Sequence, residues 1–554
     1  VSDQGGAIAT AGKVDAVELA RLIAALSDPS AYPHPVDAVA IHQTHISVVF
    51  LAGPYAYKIK KPLVLGFLDY GTLERRLYFC EQEVRLNRRL APAVYLGVVP
   101  VTGDGSRAAI EGRGEIVEWA VKMERLPDEA MLREQVRRGL IGVAEVAALA
   151  RRIAAFHAGA ETGPAIAACG RFAVVAQNAR ENFVQSAAHV GTTVSQSVFQ
   201  RLSVLTERAL AALEPTLEAR ANRGVPCDGH GDLRLGHVYL FPGRQPPDDL
   251  LIIDGIEFNT RLRYADPVAD MAFLAMDLAF HGRRDLARAF SEAYFQATGD
   301  AEGRALLPFY TAYRAAVRGK VEGIELGEPE TTQAERAAAL ERARAHWLLA
   351  LGDLEEPGQR PCLVLVGGLP GVGKSTLARD LAERAGFTVI RSDLVRKDLA
   401  RRAGLSGGAE SPAAGLYSPE CTERTYSECL RRAEAILFEG RRVLVDATFR
   451  RDARRRRFLE AADRWGVPGR LLLCRAEPAI VRTRLERREG DASDADWSTY
   501  QQAAEEWERP SSLTQRAVRE IDTGQSRKQA LAGALNDLQE LDLVGPSTRV
   551  AGWA

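Results

Sequence analysis

Lysine is almost absent from this chain. Of 72 basic residues only nine are lysines, so arginine carries nearly all the positive charge. Arginine presents a planar fork of donors and lysine a compact point charge, so a retained lysine hints at a phosphate contact. Four of the nine are Lys58, Lys60, Lys61 and Lys374, which mark one place near each end. Cysteine is sparse too. Cys80, Cys169, Cys227, Cys362, Cys421, Cys429 and Cys474 are scattered with no Cys-x-x-Cys pair. That excludes a disulfide framework and a zinc ribbon, and it reads as reduced, mostly buried thiols. No apolar run approaches a membrane span, and the Ala-rich N-terminus lacks a basic-then-apolar leader. The expectation is a cytoplasmic protein with no membrane partner. Net charge is −1, so any pull towards nucleic acid must be local. Internal repeats and low-complexity tracts are lacking as well.

What is present is ordinary globular composition, 46% hydrophobic and 26% charged over 554 residues. That length exceeds one core and implies two or three domains. Polar Glu355-Glu-Pro-Gly-Gln-Arg-Pro361 is the clearest linker. Beyond it, apolar strands at 362–366, 387–391, 442–446 and 470–474 alternate with helices, the pattern of a parallel α/β sheet. Before it, 14–27 reads as an amphipathic helix and 46–51 with 55–60 as a hairpin. Strands at 95–101 and 115–123 flank further helices, and short strands at 238–241 and 250–254 precede another helical stretch.

Gly368-Leu-Pro-Gly371-Val-Gly373-Lys374-Ser375-Thr376 follows the strand-like Cys362–Val366 and opens a helical pattern. Strand, glycine turn and helix form the context of a phosphate-binding P-loop. The turn lets backbone N–H groups curl around an anion, and the helix N-terminus adds its dipole. Lys374 would reach the β- and γ-phosphates of ATP, and Ser375 would ligate Mg²⁺. Val443-Leu-Val-Asp446 resembles a Walker B strand whose carboxylate holds the metal shell. Between these two, Asp393 stands at the C-terminal end of the second strand (387–391), where it could take the proton of an attacking hydroxyl or simply cap a helix. Arg396, one turn on, could hold an anionic part of the acceptor. In a lid-like helix and flap, Arg484 or Arg488 could close over the phosphates or remain solvated. The run Arg450-Arg-Asp-Ala-Arg-Arg-Arg-Arg457 reads as a solvated helix start, with nucleic-acid binding the less favoured alternative.

The order of these parts over 360–545 resembles the polynucleotide-kinase/zeta-toxin/gluconate-kinase group of P-loop phosphotransferases. The resemblance implies Asp393 as the base that deprotonates a hydroxyl and Arg396 as a grip on the substrate.

A second constellation lies earlier: His230-Gly-Asp232-Leu-Arg-Leu-Gly-His237, then Leu250-Leu-Ile-Ile-Asp254-Gly-Ile-Glu257. A catalytic carboxylate on a loop, a metal ligand five residues on and a metal-binding Asp after a hairpin are the layout of eukaryotic-type kinases. Asp266 and Asp270 would pin the loop from a helix start. These residues resemble the aminoglycoside phosphotransferase/choline kinase family over roughly 40–345. The resemblance implies Asp232 as base, Asp254 and His237 on the metal, Lys58 on the α/β-phosphates and Glu83 as its ion-pair partner. Lys60, on the same strand face, is the fallback for Lys58. His237 departs from that pattern by standing where the family has Asn, and imidazole is a poorer Mg²⁺ ligand than oxygen.

The pairing resembles a bacterial family of bifunctional two-domain proteins of α/β and α+β class. It implies an N-terminal helical segment (1–35), a two-lobed kinase-like domain (36–350), a linker (351–361) and a P-loop NTPase domain with a parallel sheet (362–545). The expected activity is ATP-dependent phosphoryl transfer to a hydroxyl, with a small-molecule acceptor favoured. The alternatives are a polynucleotide- or RNA-end kinase, and a regulatory ATPase or toxin-like switch with a pseudokinase sensor domain.

Overall fold

The computed structural model describes residues 8–65, 68–103, 107–327, 331–402, 418–487 and 496–545. Two compact units arise: Val1–Val175 with Pro215–Leu278 and Asp285–Ala305, and Ala176–Glu214 with Ala279–Arg284 and Leu306–Ala554. Among the described residues no helix is long and apolar enough to cross a membrane.

The first unit carries an antiparallel sheet of six strands. These are β1 (Val39–Gln43), β2 (Ser47–Ala52), β3 (Tyr55–Lys60), β4 (Tyr95–Gly103), β5 (Ala108–Ile110) and β6 (Ile116–Glu124), in the order β1-β2-β3-β6-β4-β5. The hairpin expected from the sequence is β2–β3, with Ser47 opposite Lys60. Strand β3 is covered on both faces, so its alternation sorts side chains into two different cores. Tyr57 and Ile59 join Val48, Phe50 and Leu26 of the first helix α1 (Ile8–Leu26). Ala56 joins Cys80 and Val84 of α2 (Leu73–Asn87). By the same period Lys58 and Lys60 point at α2, whose positions 80, 83, 84 and 87 share one helical face. Thr72 starts that helix by accepting from Arg75 N at 3.3 Å. Farther along, β7 (Val238–Leu240) and β8 (Leu250–Ile252) pair antiparallel, and the largely buried α3 (Pro267–Phe280) follows.

The second unit holds a wholly parallel five-stranded sheet. Its strands are β9 (Leu363–Gly367), β10 (Thr388–Arg391), β11 (Val443–Asp446), β12 (Gly469–Arg475) and β13 (Val518–Asp522), ordered β10-β11-β9-β12-β13. Every residue of β9 and β11 is buried, which is why they read as unbroken apolar runs. Helices around this sheet include α4 (Lys374–Ala385), α5 (Ser392–Arg402), α6 (Pro419–Phe438), α7 (Asp452–Arg464), α8 (Pro478–Glu486) and α9 (Arg527–Glu540). Ala530, Ala534 and Leu538 of α9 share a core with Leu377, Ala378 and Leu381 of α4. Residues from ahead of the polar 355–361 stretch also pack here. Arg201 donates to the Gly440 carbonyl at 3.0 Å and pairs with Glu355.

The basic run at the start of α7 is not a uniformly solvated face. Arg455 is 0% exposed. It donates to the carbonyls of Phe449, Arg450 and Glu508 at 2.6, 2.9 and 2.7 Å, with its guanidinium 4.4 Å above the Trp507 ring centroid. Arg450 pairs with Glu506 at 2.8 Å and Arg457 with Glu423 at 2.6 Å. Arg455→Leu is expected to destabilise this unit by roughly 3 kcal/mol or more, because buried carbonyls lose a charged donor. Urea unfolding checks this.

Candidate functional site

The glycine turn has little room for side chains. Gly368 has φ +137°, and a Cβ there would lie 2.5 Å from the Cys474 carbonyl oxygen. Gly371 has φ +76°, and a Cβ there would meet Leu485 and Val481 at 2.9 Å. Gly373, also left-handed, is the N-cap of α4. Lys374 Nζ lies across the turn and donates to the Leu369 carbonyl at 2.7 Å. Ser375 Oγ donates to Asp446 Oδ2 at 2.6 Å. Asp446 ends β11 in register with Val366 of β9 and Arg391 of β10, so all three reach the carboxyl edge of the sheet, where such folds bind ligands. Arg391 stands 3.5 Å from Ser375 Oγ and 3.6 Å from Asp446 Oδ2. Burial raises the Asp446 carboxyl above its ordinary value; Lys374, Ser375 and Arg391 oppose this and Asp393 adds to it. Asp393 and Arg396, both half-buried, sit on the opening turns of α5, which begins where β10 ends.

A cavity of about 300 Å³ adjoins the turn, lined by Gly371, Lys374, Thr376, Arg484, Thr523 and Gln525 among others. Arg484 projects from α8 and donates to the carbonyls of Val372 and Thr523 at 3.3 and 2.8 Å. Arg488 lies outside the described residues. A hydroxyl and a carboxylate, Ser375 and Asp446, are the hard oxygen donors that Mg²⁺ accepts. Among the described residues no group of three or more His, Cys, Asp or Glu side chains is placed to hold a metal.

In the first unit, Lys58 Nζ lies 2.8 Å from Glu83 Oε1 and 2.6 Å from Asp254 Oδ1. Lys60 takes the other Glu83 oxygen at 2.8 Å, together with Glu257 and Tyr70. Glu83 is thus shared by both lysines. Lys60 is 0% exposed, and it is Lys58 that reaches Asp254. Asp254 adopts φ +63°, a conformation costly for a residue with a Cβ; its N–H donates to Tyr95 OH at 3.1 Å. Asp270 receives the N–H groups of His230 and Gly231 at 2.7 and 2.9 Å, so it pins the 230–237 loop. Asp266 does not. It pairs with Arg220 and accepts from Val268 N. Both oxygens of Asp232 accept from Arg234 at 2.8 Å. His237 Nδ1 is 2.8 Å from the Asp232 carbonyl oxygen, and Nε2 is 3.2 Å from Arg234 Nη2 and 3.5 Å from Asp254 Oδ2.

Burial alone would raise the Glu83 and Asp254 carboxyls. Burial is the largest single influence, but the cations together outweigh it, Lys58 with Lys60 at Glu83 and Lys58 with His237 and Arg234 at Asp254, and hold both carboxyls below their ordinary values. Burial, then Arg234, pushes the His237 imidazole down, which favours its neutral form. A depressed carboxyl adds stability above its unfolded value of about 4, and that stability is lost as pH falls. Lys58→Met is therefore expected to move acid unfolding of this unit to higher pH, read by hydrogen exchange in α2.

Several residues here were not anticipated from sequence: Arg234 on Asp232, Glu257 and Tyr70 on Lys60, Arg391 beside Asp446, and Thr523 with Gln525 at the cavity. Arg234 and Arg391 lie within motifs already singled out, so their signal was adjacency. Thr523 and Gln525 follow an edge strand and carried no local pattern.

A family profile described as "AAA domain" matches residues 363–510. The uncharacterized protein Rv2004c of Mycobacterium tuberculosis is 36% identical over 428 residues, covering 76% of this chain and 81% of that protein. The chain is also similar in structure to a gluconokinase from Sinorhizobium meliloti, at TM-score 0.26 and 18% identity over 33% of this chain and 94% of that one. A choline/ethanolamine kinase family protein from Mesorhizobium loti aligns at TM-score 0.34 and 13% identity over 61% and 98%. Extent and identity of the Mycobacterium match decide the kinship: the chain belongs to the family of Rv2004c, and the P-loop lies within its profile-matched residues 363–510.

Proposed function

We propose that the second unit transfers the γ-phosphoryl group of ATP to a hydroxyl of a small molecule, and that the first unit holds a second ATP. The observation that supports this reading is the convergence of the glycine turn, Lys374, the Ser375–Asp446 pair and Asp393 on one sheet edge. Lys374 binds the β- and γ-phosphates. Ser375 and Asp446 would hold Mg²⁺, which would supply charge neutralisation for the phosphates. Asp393 accepts the acceptor's proton as its oxygen bonds to the γ-phosphorus and the bond to ADP breaks. Arg396 and Arg484 hold negative charge on acceptor and phosphates. In the first unit Lys58 and Glu83 position the nucleotide, Asp254 faces its metal and Asp232 is the base. Internal pairing of Arg450, Arg455 and Arg457 favours a small acceptor over a nucleic-acid end.

The test is transfer of labelled γ-phosphate into fractionated small molecules and nucleic acids, comparing wild type with Asp393→Ala. Label lost while ATP binding persists supports the reading; unchanged ATP turnover in Asp393→Ala overturns it. A second reading, in which the first unit binds ATP without transfer, has one observation in its favour: Arg234 occupies both oxygens of Asp232. A product that disappears only in Asp232→Ala would decide against it.

A further inference from the structure

We infer that the first unit takes its nucleotide with a transition-series divalent cation of the Mn²⁺ kind in preference to Mg²⁺, with His237 Nε2 and Asp254 as its protein ligands. The inference rests on the reading of that unit as a nucleotide site.

The contacts of the imidazole settle which nitrogen has the proton. Nδ1 faces the Asp232 carbonyl oxygen at 2.8 Å. A carbonyl can only accept, so Nδ1 carries the hydrogen. Nε2 faces Arg234 Nη2 at 3.2 Å. A guanidinium can only donate, so Nε2 presents a lone pair. This is the arrangement in which one ring nitrogen is fixed by a backbone oxygen and the other is left to ligate a metal. That lone pair lies 3.5 Å from Asp254 Oδ2, a span that lets both atoms stand roughly 2.1 Å from one ion.

A nitrogen–oxygen pair discriminates between cations. Mg²⁺ demands an octahedron of hard oxygens and gives up water reluctantly. First-row transition cations gain from imidazole, in the order that starts at Mn²⁺ and rises towards Cu²⁺. Two protein ligands do not make a site alone, so binding must depend on nucleotide oxygens. Arg234 Nη2, bonded to both Asp232 Oδ2 and the His237 lone pair, is already a cation at this place. Guanidinium and metal exclude one another there, so metal entry frees Asp232.

The experiment uses the full chain with Lys374→Ala and Ser375→Ala to silence the other site. Mn²⁺ is titrated by electron paramagnetic resonance with a non-hydrolysable ATP analogue present. The expected result is nucleotide-dependent Mn²⁺ binding that needs a more than tenfold excess of Mg²⁺ to displace, with nitrogen modulation in the pulsed spectrum. His237→Asn is expected to abolish the modulation and bring the two cations within a few-fold of each other. Arg234→Ala is expected to tighten Mn²⁺ several-fold. Bound Mn²⁺ without nitrogen coupling, or coupling and preference unchanged in His237→Asn, overturns the inference alone. No nucleotide-dependent Mn²⁺ binding overturns it together with the nucleotide reading. The unsubstituted His237 spectrum decides even if His237→Asn fails to fold.

Discussion

Lys374→Ala is expected to lower phosphoryl transfer by the second unit about 10³-fold or more, the scale of losing a preorganised charge at a developing anion. The ammonium sits inside the glycine turn, 2.7 Å from the Leu369 carbonyl and on the wall of the cavity. No other lysine is near it in sequence, in a chain that otherwise uses arginine. The reason lies in shape. Positive-φ glycines at 368, 371 and 373 close the turn tightly, with Cys474, Leu485 and Val481 packed against it. A compact ammonium fits such a turn and a planar guanidinium does not. Lys374→Arg is therefore expected to fail as well, although the charge is kept. Single-turnover transfer and calorimetric ATP titration of both variants make the check. Transfer within tenfold of wild type in Lys374→Arg would refute the steric argument.

Lys60→Met should destabilise the first unit by about 3–5 kcal/mol, the range for stripping one partner from a buried ion pair. Lys60 Nζ is wholly enclosed, between Glu83, Glu257 and Tyr70 OH. Methionine fills similar space but leaves Glu257 buried without its cation. Lys58 cannot take over, because it is committed to the other oxygen of Glu83 and to Asp254. Burial opposes the charge on Lys60, and Glu257 and Glu83 outweigh it to raise its proton affinity. The ammonium is accordingly retained across the neutral range. Adding Glu257→Gln to Lys60→Met is expected to restore part of the loss, since the orphaned carboxylate disappears. Urea unfolding followed by hydrogen exchange in β3 and α2 separates this unit from the other. A loss below about 1 kcal/mol would mean that the cluster is solvated.

Contiguous chemistry was legible before any fold was known. The P-loop and the 230–237 loop each pack their chemistry into fewer than about ten residues, and such turns dictate local backbone geometry. Strands β2, β9 and β11 were legible because burial leaves apolar runs, and β3 because it follows β2 across the Gly53-Pro54 turn of a hairpin. Of the edge strands, β10 was legible, whereas β1 and β13 were not. Along β13 only Ile521 is buried, so no alternation marks it, and β1 turns only Val39 and Ile41 towards the core, too short an alternation to mark a strand.

Sequence alone determined that the chain holds a P-loop turn with a parallel sheet behind it, and it singled out the 230–237 loop, because each is written in neighbouring residues. Tertiary structure alone decided the partnerships. It joined Glu83 to both lysines, chose Asp270 over Asp266 to hold the loop, set Arg234 against Asp232, and buried Arg455 where a solvated face was expected. Apart from the Arg234–Asp232 pair, whose members are near neighbours on one loop, those outcomes depend on side chains brought together by the fold, where strand register and helix face set distances of a few ångströms. One residue's slip in register would exchange every such partner.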